Sequence, residues 1–153
     1  ARIQNEKFPQ IPFNLSELCC EVSADLLPKA QAKNIDLSAD IQEHYEICGH
    51  QESIAILIRN IIDNAIKYTP AGGEVKIQLH KSKLIIMDTG VGINNEDKNK
   101  VFERFVRVDK TRQIGSGLGL AIVHWIAQAH HFEITLHDHE PQGVEVHIHF
   151  SRS

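Results

Sequence analysis

Three glycines at alternate positions, Gly115, Gly117 and Gly119, open the run GSGLGLAIVHWIAQAH before it turns into a helix. A glycine costs a helix roughly 1 kcal/mol against alanine. Three at a helix start therefore point to something that must approach bare backbone. Unpaired N–H groups and the helix dipole at such an end favour an anion, and phosphate is the natural candidate. The spacing is neither a Walker A nor the Rossmann G-x-G-x-x-G.

Three further groupings precede this one. In NIIDNAIKY, Asn60, Asn64 and Lys67 stand at i, i+4 and i+7, on one helical stripe at the edge of the apolar one. In DTGVGI, Asp88 ends an apolar run and is followed by Gly90 and Gly92, a carboxylate beside backbone that is approached closely. In FERF, Phe102 and Phe105 are spaced to anchor a loop into an apolar patch. Singly these patterns also describe a solvated helix face, a capped turn and a pair of core aromatics. Their order in one chain makes them a constellation.

The elements that must position these groups follow from periodicity. LSELCCEVSADLLPKAQAKN carries Leu15, Leu18, Val22 and Leu26 at helical spacing, with Ser16 as expected N-cap and Pro28 expected to kink or tighten the last turns. IDLSADI alternates as a half-buried strand. SIAILIRNIIDNAIKY is a strongly amphipathic helix, TPAGG breaks the chain, and EVKIQLH alternates again. KLIIMD is a continuous apolar run, expected to be a central strand covered on both faces. Residues 90–114 lack a clean period and read as a long loop with a helical piece at KNKVFERF. Long structureless loops in compact domains are usually functional, and the segment from about Asn94 to Ile114, anchored by Phe102 and Phe105, is expected to be a mobile lid. The glycine-rich helix follows, then FEITLHD and VEVHIHF as a closing hairpin across HEPQG. This order predicts an α+β fold, a two-layer α/β sandwich with a mixed, mostly antiparallel sheet and helices on one face.

Length and composition agree with one domain: 153 residues, 42% hydrophobic, 24% charged, net charge −4. Without a basic stripe, nucleic acid is not expected as a partner. There is no span-length apolar run and no signal peptide, and the start, ARIQNEKFPQIPFN, reads as a linker of residues 1–14 before a domain of residues 15–153. Cys19, Cys20 and Cys48 make no disulfide framework and suit a reducing cytoplasm; the adjacent pair reads as half-buried.

Taken together, the groupings resemble the catalytic ATP-binding domain of bacterial two-component histidine kinases, over nearly the whole chain. NIIDNAIKYTP is similar to that family's N box, DTGVGI to its first glycine box, FERF to its F box and GSGLGLAIV to its second. The wider superfamily holds gyrase, the 90-kDa heat-shock chaperone and the MutL repair ATPases on the Bergerat fold. The resemblance implies ATP and Mg²⁺ as cofactors. Asn64 would give its amide oxygen to Mg²⁺, a hard cation, with Asn60 helping to hold metal and phosphates. Lys67 and Tyr68 would contact the phosphates and the nucleotide's outer edge. Asp88 would accept from the adenine amino group, and Gly90, Gly92 and Ile93 would let base and sugar lie against the chain. Arg107 would reach the γ-phosphate. Gly115, Ser116, Gly117, Leu118 and Gly119 would cradle the triphosphate, although the family often has a further glycine where Ile114 stands.

The resemblance also bears on the reaction. Hydrolases and serine kinases of the superfamily carry a glutamate four residues before the metal-binding asparagine; here Asn60 stands there, and an amide cannot take a proton near neutral pH. That favours phosphoryl transfer to histidine. None of the ten histidines has the family's phosphoacceptor context. The acceptor is expected in a helical dimerisation domain of a homodimeric parent, an inner-membrane sensor serving a response regulator, with the isolated domain a cytoplasmic monomer. A nucleotide-sensing regulatory domain, or a serine kinase or hydrolase, remain the alternatives. His137, His139, His147 and His149 would share one strand face, read first as an exposed polar face and only second as a metal site. Trp125 reads as a packing residue.

Overall fold

Alternation in the strands and 3.6-residue periodicity in the helices sort the side chains into one core between a sheet and a helical layer. The computed structural model describes residues 9–90, 118–139 and 142–150, with side chains of the last helix from 121 onward. In chain order the elements are β1 (Ile11–Asn14), α1 (Leu15–Ala32), β2 (Asp36–Ile41), β3 (Glu46–Gly49), α2 (Gln51–Lys67), β4 (Glu74–His80), β5 (Lys83–Asp88), α3 (Leu118–Ala129), β6 (Glu133–Asp138) and β7 (Val144–His149).

The main sheet has five strands in the order β2-β4-β5-β7-β6. Only β2 runs parallel to its neighbour β4; every other pairing is antiparallel. A parallel neighbour needs a long crossover, and α2 lies within it. Register places Ile77 opposite Ile86 and Leu84 opposite Ile148, so the inner faces of three strands form one apolar surface. Onto it pack Leu18, Val22 and Leu26 of α1, Leu57, Ile58, Ile61 and Ile62 of α2, and Val123 and Ile126 of α3, all buried. The expected two-layer, mostly antiparallel architecture is borne out.

Several local expectations are corrected. β5 is not covered on both faces: its burial alternates strictly, with Leu84, Ile86 and Asp88 buried and Lys83, Ile85 and Met87 half-exposed. Asn14, not Ser16, caps α1, its side chain accepting from the Glu17 N–H at 3.1 Å. Ser16 is buried instead, donating to the Gln42 carbonyl and accepting from the Tyr45 N–H at 2.9 Å. Ile11–Asn14, within the stretch read as linker, forms β1 and pairs antiparallel with β3, a two-stranded sheet that the sequence pattern did not announce. Cys19 is fully buried and Cys20 exposed, not both half-buried. Burial foremost, then Cys20, pushes the Cys19 thiol up to about 12, so it is inert packing.

Two helices end in Schellman motifs without glycine. Asn34 takes φ 63° after α1, with Ile35 N–H bonding back to Ala30 and Asn34 N–H to Gln31. His131 takes φ 63° after α3, with Phe132 N–H bonding to Ala127 and His131 N–H to Gln128. In both, the reversed chain drops a buried or half-buried apolar residue onto the last turn. α2 is closed differently: Lys33 from the end of α1 donates to the carbonyls of Ile66 and Lys67 at 3.0 and 2.7 Å, a cation at the negative end of the helix dipole.

Candidate nucleotide-binding site

α2 delivers its polar stripe as expected. Asn60 and Asn64 are half-buried at the edge of the helical layer and Lys67 is exposed in the last turn. The Asn60 amide nitrogen donates to the Ile56 carbonyl at 3.0 Å, and its amide oxygen can serve only as an acceptor. Two amide oxygens on one stripe suit a hard cation, which prefers oxygen ligands, so the residues present fit Mg²⁺. Lys67 Nζ lies 5.6 Å from the Tyr68 ring centroid, within cation–π range.

Asp88 ends β5 on the inner face and is only 3% exposed. A buried carboxylate needs compensating donors, and backbone supplies two to the same oxygen. Oδ1 accepts from Gly90 N–H at 2.9 Å and from Val144 N–H at 3.3 Å. These bonds fix the carboxylate's orientation at the end of the sheet, where an exocyclic amino group could be read.

Gly90 then joins the two motifs. A Cβ there would stand 2.2 Å from the Tyr68 carbonyl oxygen, so the chain after Asp88 passes directly under the end of α2. This contact within the protein already requires Gly90 to be bare. Asp88, Gly90 and Tyr68 are thus brought together, and α2 carries Asn64 and Lys67 on the turns leading to Tyr68. The neighbouring turn is equally tight. A Cβ on Gly73 would lie 2.4 Å from the Thr69 methyl and 2.7 Å from Thr89 Oγ1, while Thr89 Oγ1 accepts from Glu74 N–H at 3.0 Å. Thr69, Gly73, Thr89, Gly143 and Val144 were not singled out from the sequence. The Gly143 signal was present in HEPQG but reads there only as a turn.

α3 starts at Leu118, with Gly119 in its first turn, so the glycine-rich run does lead into a helix. Gly92, Ile93, Phe102, Phe105, Arg107, Ile114, Gly115, Ser116 and Gly117, and with them the expected lid, lie outside the described residues. Trp125, read as a packing residue, is 43% exposed, next to an exposed Ile122 one turn away.

The histidine-rich hairpin does share one strand face. Glu145 Oε2 meets His139 Nδ1 and Oε1 meets His147 Nε2, both at 2.9 Å, and the His137 and His147 rings lie 4.1 Å apart. Burial works against ionising Glu145, but the hydrogen bonds and charges of His139 and His147 outweigh it and hold the carboxyl below its usual range. Burial foremost, with His137 and Lys83 nearby, lowers His147 despite Glu145. Among the described residues no three His, Cys, Asp or Glu side chains are placed to hold a metal ion.

The comparisons with known proteins agree with this geometry. Residues 49–153 match the family described as histidine kinase-, DNA gyrase B- and HSP90-like ATPase. The chain is 34% identical over 145 residues to the adaptive-response sensory kinase SasA of Synechococcus sp. (strain JA-3-3Ab), covering 90% of this chain and 38% of that protein. It is 38% identical over 130 residues to the sensor histidine kinase RppB of Synechocystis sp. (strain ATCC 27184 / PCC 6803 / Kazusa), covering 80% of this chain and 29% of RppB. It therefore spans roughly a third of the length of such curated relatives. Among solved structures, the catalytic domain of histidine kinase ThkA superposes with a TM-score of 0.80 at 28% identity, covering 92% of this chain and 94% of that one. The mycobacterial sensor histidine kinase MprB gives 0.76 at 27%, covering 91% and 95%. With the expected N-box stripe and buried Asp88 on a Bergerat-type sheet, the chain belongs to the histidine kinase-, gyrase B- and HSP90-like ATPases, as a histidine kinase-like ATP-binding domain.

Proposed function

We propose that this domain binds Mg²⁺-ATP and donates its γ-phosphoryl group to a histidine in a neighbouring helical dimerisation domain, as the catalytic part of a homodimeric sensor kinase. The carrying observation is Asn60. It stands one turn before Asn64, where a water-activating carboxylate would be needed for hydrolysis, and its amide nitrogen is tied to its own helix. The identity of the relatives as sensor kinases supports the same reading.

In this reading Asp88 selects adenine, Asn64 and Asn60 present amide oxygens to the metal, and Lys67 and Tyr68 line the outer edge. Arg107 and the run Gly115, Ser116, Gly117, Leu118 and Gly119 serve the phosphates, and Gly92 and Ile93 the base and sugar. Mg²⁺ supplies charge neutralisation on the phosphates. The protein's own share is positioning, which is most of what phosphoryl transfer requires. The parent would place this domain on the cytoplasmic side of a membrane and pass the phosphoryl group to a response regulator.

The test uses the isolated chain and a fusion. Alone, the domain should bind ATP by calorimetry in a Mg²⁺-dependent way, turn it over very slowly and fail to label itself. Asn64→Ala should stay folded and lose most of the metal-dependent affinity. Joined to a dimeric hairpin bearing the acceptor histidine, it should acquire acid-labile, base-stable label. Brisk hydrolysis or self-labelling by the isolated chain would overturn the proposal, and so would a silent fusion.

A further inference from the structure

Among the described glycines, the tightest approach to backbone is made by Gly143, in the histidine-rich hairpin, and it falls on Asp88. Gly143 adopts φ +122°, and a Cβ built there would lie 1.9 Å from the Asp88 carbonyl oxygen, 2.8 Å from its carbon and 3.0 Å from Thr89 Cα. No side chain could be accommodated without moving β7 away from β5, because all three obstacles are backbone. The next residue, Val144, is the register partner of Asp88 and donates its N–H to Asp88 Oδ1 at 3.3 Å. Gly143 is itself held from the other strand, its carbonyl accepting from His139 N–H at 3.1 Å.

We propose that Gly143 is a specificity-determining positioning residue: its bare α-carbon lets the hairpin end close onto the Asp88–Thr89 backbone, so that Val144 N–H fixes the carboxylate that reads the base. The inference rests on the reading of Asp88 as the adenine acceptor. The Gly90 donor is local, two residues along the same chain, and constrains the carboxylate through its own turn. Val144 comes from another strand, 56 residues away in sequence. It therefore makes the carboxylate's orientation depend on how closely the hairpin is seated. A closer seat is impossible for any residue but glycine, both sterically and because L side chains rarely adopt this φ.

The experiment measures dissociation constants for ATP and GTP by calorimetry, with thermal melts, for the unaltered domain, Asp88→Asn and Gly143→Ala. Gly143→Ala should reduce the ATP-over-GTP preference about tenfold, the worth of one hydrogen bond to a charged acceptor, while Mg²⁺ dependence persists. A merely structural role would weaken both nucleotides in parallel and leave the ratio unchanged, which would overturn the proposal. Asp88→Asn separates the two readings. If it leaves the ratio unchanged, the adenine-acceptor reading itself has failed. If it collapses the ratio while a folded Gly143→Ala retains it, only the positioning role of Gly143 has failed. Should Gly143→Ala not fold, the unaltered protein decides by NMR. The Val144 amide resonance should move on adding ATP and stay put with GTP at equal occupancy, and a Val144 resonance indifferent to ATP would refute the proposal.

Discussion

The two faces of the main sheet each hold a carboxylate, and they satisfy it by different means. On the inner face Asp88 is buried against the helical layer and takes backbone N–H donors from Gly90 and Val144. On the outer face Glu145, only partly buried, takes its donors from the side chains of His139 and His147. Backbone donors cannot titrate, so the hold that Gly90 and Val144 give Asp88 does not depend on their own protonation. Histidine donors can, so the outer pairings belong to a particular range of pH. Under the proposed reading of Asp88 as the adenine acceptor, fixed backbone donors suit a carboxylate that must hold one orientation. A solvated strand face can use histidine donors instead.

The largest test of that contrast sets adjacent residues of one strand against each other. Ile86 is fully buried on the inner face, opposite Ile77 of β4 and Val146 of β7. Ile86→Ala should cost about 2–5 kcal/mol of unfolding free energy, the range for truncating a buried isoleucine. Ile85 is half-exposed on the outer face, and Ile85→Ala should cost about 1 kcal/mol or less. Urea denaturation of both variants checks this, and similar losses would mean that the outer face is covered by more than the described residues show.

A second comparison reads function rather than stability. Asp88→Asn replaces an acceptor with a group that presents donors to the adenine amino group. ATP should bind about ten- to a hundredfold more weakly. Glu145→Gln, on the other face, should leave ATP affinity unchanged by the same calorimetry. If the outer substitution weakened ATP as much, the division of labour between the faces would be wrong.

The third prediction concerns acid. His130 is buried where α3 meets α2: its Nε2 accepts from the His50 N–H at 3.2 Å, so its Nδ1 carries the proton and donates to the Ile126 carbonyl at 2.9 Å. Burial foremost, then the neighbouring His50 and His131, lowers its pKa against the opposing bond to Ile126. His147 is lowered too. With folded values below the unfolded value of about 6.5, the unfolded chain binds more protons as pH falls below that point. Stability is therefore full above about pH 6.5 and declines below it. Glu145 adds a second, more acidic window: its lowered folded value gives stability present above about pH 4.3 and lost as pH falls through the folded value. Melting temperatures across pH check both windows. His130→Gln should flatten the upper one; an unchanged slope in that variant would remove His130 from the account.

Much of this was legible in the sequence, and unevenly so. The helices and the strands β4, β5 and β7 were readable because each buries residues on one face, and burial writes a period into the chain; β6, which has no fully buried residue, was readable as the other half of the closing hairpin. The N-box stripe and Asp88 were readable because their chemistry is carried by side-chain type at fixed spacing. Gly143 and Val144 were not, because what they contribute is an approach between backbones 56 residues apart, which leaves only a glycine in a turn. β1 and β3 were missed for a related reason: each has four residues, and the one buried residue is Phe13 in β1 and Gly49, which has no side chain, in β3, too little to show alternation.

The smallest expected effect is the stability cost of breaking the outer carboxylate's own contacts. Burial lowers the His147 pKa despite Glu145, and the His147 Nε2–H donates to the carboxylate, which can only accept. Such contacts on a partly solvated face are worth little, because water competes for both partners and side-chain freedom is lost in making them. Glu145→Gln keeps the size and one acceptor oxygen while removing the charge. It should cost less than about 1 kcal/mol at pH 7, and the difference from the unaltered protein should vanish once the pH is low enough to protonate Glu145. Urea denaturation at the two pH values measures both quantities. A loss as large as that of Ile86→Ala would show the outer cluster to be part of what holds the sheet together, and the contrast between the two faces would then have to be redrawn.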